Sequence, residues 1–134
     1  MIKKLVVLVL CCTLFVGCSS SKPQLEPINK MISGCVMLPN KTRLKNQRII
    51  LIADYAYPTA RSIVSEIDKD GYFNISNTET PIYPIKYKVF VILSSPSDKK
   101  YIPQKYYDRE DDESDLIIDL TEDSSDLVLR MNKS

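Results

Sequence analysis

The chain has 134 residues, 18 of them basic and 17 acidic, and it contains no histidine. So even a balance argues against nucleic acid as a partner, and the missing histidine removes the commonest general base at neutral pH and the commonest zinc ligand. Leaving aside the first 18 residues, about 116 remain, enough for one domain with a core and too few for two.

Residues 1–18 read as a lipoprotein signal. Lys3 and Lys4 make a positive start, residues 5–16 a short apolar core, and Phe15-Val16-Gly17-Cys18 a small-residue cleavage site ending in cysteine. An apolar run of 12 residues falls well short of the roughly 20 that a helix needs to cross a hydrocarbon layer, so it marks export and not a permanent span. The tetrapeptide resembles the bacterial lipobox, with Phe15 where Leu is usual. That resemblance implies that Cys18 becomes the N-terminus and carries acyl chains (diacylglycerol, palmitate), which hold the protein to the membrane. Ser19 after it implies the outer membrane of the cell envelope.

Cys11 and Cys12 leave with the signal and Cys18 becomes a thioether, so Cys35 is the one remaining thiol and no internal disulfide is available. Removing Lys3 and Lys4 from the 18 basic residues leaves 16 against 17 acidic ones, yet the distribution is uneven. Residues 108–126 are dense in Asp and Glu, while Lys41, Arg43, Lys45 and Arg48 stand together without an acid. One end or face should be distinctly acidic.

Residues 19–31 are polar, hold Pro23 and Pro27 and show no periodicity, which predicts a flexible tether. From residue 32 onward, short β-favouring runs alternate with turn residues, the pattern of a sandwich. Strands are predicted over 32–38 and over 48–53, the latter apolar on both faces and therefore central or covered. Residues 62–67 and 72–75 flank Asp68-Lys69-Asp70-Gly71 and read as a hairpin. The strongest alternation runs over 86–93, with Tyr87, Val89, Val91 and Leu93 against Lys88, Phe90 and Ile92. Residues 116–120 and 127–131 form the expected last pair. No helix of ten residues or more is predicted, and the expected architecture is an all-β, antiparallel sandwich of about seven strands over 32–134.

The order of these features resembles the transthyretin-like, carboxypeptidase-regulatory-like (carbohydrate-binding-like) domains of bacterial envelope proteins. The resemblance rests on Ile32-Ser33-Gly34-Cys35-Val36, Leu44-Lys45-Asn46-Gln47-Arg48-Ile49, Asp68-Lys69-Asp70-Gly71-Tyr72-Phe73, Tyr87-Lys88-Val89-Phe90-Val91 and Tyr101-Ile102-Pro103-Gln104-Lys105-Tyr106. Asn46 and Gln47 depart from the usual Gly-Ala. It implies an immunoglobulin-like sandwich and a lipid-anchored protein that binds an envelope protein or a glycan. A more specific version is an outer-membrane lipoprotein of a type VI-like secretion machine.

The hydrolases of the transthyretin family use histidines and a Tyr-Arg-Gly-Ser end, whereas this chain ends Met131-Asn132-Lys133-Ser134. No catalytic residue and no cofactor is expected. Asp68-Lys69-Asp70-Gly71 reads as a turn and not as a calcium loop. Among the carboxylates, Asp108, Asp111, Asp112 and Glu113 are the only candidates for a weakly held calcium ion, and a solvated charge run is the plainer reading. Of the loop tyrosines, Tyr106 reads as a buried corner with a satisfied hydroxyl, while Tyr55, Tyr57, Tyr83, Tyr101 and Tyr107 are candidates for contact with protein or sugar.

Overall fold

The computed structural model describes residues 26–29, 31–53, 60–75, 80–121 and 126–133; the expected signal with Cys18, and Tyr55 and Tyr57, lie outside the described residues. The β-favouring runs form strands β1 (Ile32–Met37), β2 (Arg48–Ala53), β3 (Ile63–Glu66), β4 (Tyr72–Ile75), β5 (Lys86–Ile92), β6 (Ile117–Asp119) and β7 (Asp126–Arg130). They make two sheets, β4-β1-β7 and β3-β2-β5-β6, packed as a β-sandwich. Two short 3₁₀ turns, Pro96–Lys100 and Gln104–Tyr106, are the only helical pieces among the described residues.

Period-two alternation sends one side of each strand to the core. Tyr87, Val89 and Val91 of β5 face Ile49 and Leu51 of β2, and from the opposite sheet Ile32 and Val36, Phe73 and Ile75, and Leu129 complete the packing. Each such large side chain contributes about 1.5–3 kcal/mol through removal from water. The buried Tyr87 hydroxyl is not left unpaired, since it accepts the Tyr83 N–H at 3.0 Å. Burial holds its pKa above the usual phenol value.

β2 is interior to its sheet, between β3 and β5, and its outward Ile50 is buried as well. This bears out the expectation for a strand apolar on both faces. Ile28 packs on the core and its N–H donates to the Ile82 carbonyl at 2.6 Å, so the chain is already tied to the sandwich before β1 begins.

Three pairings depart from the expected ones. β3 and β4 join at their turn end through an Ile67–Phe73 bridge, with the Ser65 hydroxyl reaching the Asn74 carbonyl at 3.4 Å, but belong to different sheets. β6 and β7 do not pair but also belong to different sheets. β7 instead lies parallel to β1, with Ser33 opposite Asp126 and Met37 opposite Arg130. Gly34 lets β7 in: a Cβ there would stand 2.4 Å from the Leu127 carbonyl oxygen and 2.9 Å from the Phe73 ring.

The turn between β3 and β4 is built by Asp68. Its Oδ1 accepts the N–H groups of Asp70 and Tyr72, each at 2.9 Å, and Gly71 takes φ +91°, which glycine adopts without a Cβ penalty. Those N–H groups, Tyr72 foremost, hold the Asp68 carboxyl below the usual range.

Candidate functional site

The outward face of the four-stranded sheet carries an unexpected apolar floor. Phe90 shares its side of β5 with Lys88, yet it is 1% exposed, and its cross-strand partner Ile50 is buried with it. What covers them is the acidic segment after the second 3₁₀ turn. Lys88 Nζ reaches the Asp112 carbonyl at 2.9 Å and Asp112 Oδ1 at 3.1 Å. Asp112 itself sits at φ +50°, in the left-handed region. Below it the buried Ser114 hydroxyl donates to the Val89 carbonyl at 2.6 Å, and Val89 N–H donates to the Leu116 carbonyl. Residues 108–114 are thus tied back to β5 at Lys88 and Val89, while the side chains from Arg109 to Glu113 remain exposed.

Between that segment and the sheet lies a groove of about 740 Å³, floored by Ile52, Ala53, Phe90 and Ile117 and edged by Lys86, Lys88, Arg109, Glu110 and Asp112. Ile117 is 41% exposed. Lys88 is held by Asp112 and Lys86 lies opposite Asp119 across β5 and β6, while Arg109 makes no ion pair among the described residues. The groove therefore sets an apolar strip beside Lys86 and Arg109, neither of which makes an ion pair among the described residues.

Of the carboxylates singled out from the sequence, Asp108 and Asp111 lie beside each other. Asp108 accepts from the Gln104 side chain at 3.2 Å and the Glu110 N–H at 3.1 Å, and these bonds, Gln104 first, keep its carboxyl below the usual range. Asp111 is raised, chiefly by the negative charge of Asp108, Asp112 turns to Lys88, and Glu113 is exposed. Among the described residues no three Asp, Glu or Cys side chains are placed to hold a metal ion.

Tyr106 is fully buried and its hydroxyl accepts the Asn132 N–H at 2.7 Å. It is the expected corner. Asp115 draws Lys105 and the Asn132 side chain to the same place, each at 3.2 Å. Tyr83 and Tyr107 are half-buried, whereas Tyr101 is open, with 64% of its surface in solvent. Cys35 is buried on the outward face of the other sheet, between Tyr72 and Val128.

Searches against protein-family models, curated proteins and solved structures return no match for this chain. Among the described residues no helix is long and apolar enough to cross a membrane.

The groove was not foreseen. Its one trace in the sequence is that Phe90 and Ile92 share an alternation with Lys88, so a face with a lysine on it also carries two large apolar side chains.

Proposed function

We propose that this chain is a lipid-anchored protein of the bacterial cell envelope, held by acyl chains on Cys18, whose β-sandwich is a binding module and not an enzyme. The groove over Phe90 carries the binding half of this reading. It supplies an apolar strip that a protein side chain or the face of a sugar ring fits, edged by charges that orient the occupant. The buried hydroxyls near it are committed to structure, as Ser114 is to the Val89 carbonyl. The signal pattern ending at Gly17-Cys18 carries the anchoring half, and the order of motifs resembling transthyretin-like envelope domains supports both.

One acyl chain gives marginal membrane binding at about 0.8 kcal/mol per buried methylene, so two or three hold firmly. Cys18→Ala, expressed in a bacterial host beside the parent chain, is therefore expected to leave the membrane pellet after a salt wash, while the parent stays. A variant that stays with the parent would overturn the anchoring.

A further inference from the structure

We infer that the end of the sandwich opposite the tether is a docking surface for an acidic glycan, with Tyr101 as the ring on which a sugar stacks and Lys45 and Lys100 as the cations that meet its anionic groups. The inference concerns a different surface from the groove and rests on the envelope reading only for the direction in which this end points.

The Ile28–Ile82 hydrogen bond places chain entry at the end where β1 and β5 begin and β2 and β6 finish. The other end gathers three loops. Asn46 N–H donates to the Asp68 carbonyl at 3.2 Å, Ser94 Oγ to the Asn46 carbonyl at 2.8 Å, and the buried Gln47 amide to Asp98 Oδ2 at 2.9 Å. These bonds bring residues 38–47, 67–71 and 93–102 together. On them stand Lys41, Arg43, Lys45, Lys69, Lys99 and Lys100 against Asp68, Asp70 and Asp98. Two of the acids are already engaged, Asp68 by the backbone of its own turn and Asp98 by Gln47. Arg43 lies over the Tyr72 ring and Lys99 over that of Tyr107. Lys41, Lys45 and Lys100 are exposed and make no ion pair among the described residues.

Tyr101 stands in the middle of this charge. Its N–H caps the first 3₁₀ turn by donating to the Asp98 carbonyl at 3.1 Å, and the next residue, Ile102, is buried. The backbone is thus fixed while the ring projects. Tyr101 and Lys45 share a crevice of about 130 Å³ with Leu38, Leu44, Ile102, Gln47 and Asp98, the Asp98 carboxylate being held by the Gln47 amide. An exposed ring on a fixed backbone offers a flat apolar face at low entropic cost, which matches the CH face of a pyranose, while flanking ammonium groups match carboxylates or phosphates on the sugar. A folded protein partner would need an apolar interface core within about 800 Å² per side. Around this crevice the exposed apolar surface is essentially one ring. With nine residues between Cys18 and Ile28, a span of at most about 35 Å, the basic end faces away from the bilayer, toward whatever glycan lies above it.

The test uses the full-length protein in phosphatidylcholine vesicles, floated with labelled polygalacturonate, neutral dextran, polyglutamate or duplex DNA. Polygalacturonate is expected to co-float, less so as salt rises, and dextran is not. Lys45→Glu with Lys100→Glu should weaken this binding about tenfold, and Tyr101→Ala by a similar factor, with melting temperatures unchanged because all three side chains are exposed. Should the charge reversals lower melting, Lys45→Gln with Lys100→Gln replaces them. Binding unchanged in these variants overturns the inference, as does polygalacturonate binding no tighter than dextran. Equal binding of polyglutamate points to an acidic peptide, and equal binding of DNA to charge alone; either also overturns it. Membrane attachment retained in Cys18→Ala with glycan binding intact would remove the anchoring reading and leave this one standing.

Discussion

At the scale of single residues, Asp68, Asp108 and Asp119 are each tuned by a neighbouring donor. Asp68 is lowered first by the Tyr72 N–H, Asp108 by the Gln104 amide, and Asp119 by the Thr121 hydroxyl. A carboxyl group whose folded pKa lies below its unfolded value adds stability that is complete above the unfolded value, about 3.9 for Asp, and is lost as pH falls through the folded one. Asp111 is raised by Asp108, so it works the other way, its repulsion easing in acid. Asp115 is lowered as well, its burial outweighed by the bonds from Tyr106, Asn132 and Lys105. With four groups against one and no histidine in the chain, the urea midpoint should be level between about pH 5 and 8 and should fall below about pH 4. Asp68→Asn should flatten the acid limb. A steep change near pH 6.5 would contradict this assignment of the titrating groups.

At the scale of elements, the alternation on β5 decides what a substitution does. Val91→Asp places a carboxylate in the core with no counter-charge near it, a cost of several kcal/mol in a domain holding about 5–15 kcal/mol in all, so that variant should be unfolded in a urea melt. Val64→Asp, on the solvent side of β3 and 53% exposed, should shift the midpoint by roughly 0.5 kcal/mol or less. Equal damage would mean the face assignment is wrong. Lys88, although on the side of β5 away from Val91, would not serve as a neutral control, because it bridges to Asp112 and a carboxylate there would sit against another. Gly34→Ala drives a methyl into the Leu127 carbonyl. Either β7 peels from β1 or the strands shift, so its thermal midpoint should drop and protease should reach the C-terminal strand first. Wild-type stability would mean that the β1–β7 contact is looser than described.

The strands themselves were legible because side-chain period and turn residues are local properties. β2 and β4 have the bounds their apolar patterns predict, and β1 and β5 differ by a residue at one end. Partnership was not legible. Asp68 and Gly71 dictate a turn, but whether its arms stay together depends on which sheet buries Ile63 and which buries Ile75. The Phe90 groove was hidden for the same reason, since it exists only when residues 108–113 return to β5, and the signal for that return is one lysine finding one aspartate across 24 residues. The basic end was half visible as Lys41, Arg43, Lys45 and Arg48; its other half arrives from the 3₁₀ turn at Pro96–Lys100.

At the scale of the whole molecule, the strand that closes the three-stranded sheet is the last one in the chain. Ser33 and Asp126, bonded side chain to side chain at 3.2 Å, are 93 residues apart. A ribosome adding about 5–20 residues per second therefore releases β1 many seconds before β7 exists, and during that interval β1 has no neighbour on one edge. Long-range closure of this kind is slow even once the chain is complete. Under the proposed export, such lateness would be useful: the chain would reach the translocation channel while still a thread, and its final strand would act as a clasp that fastens only on the far side.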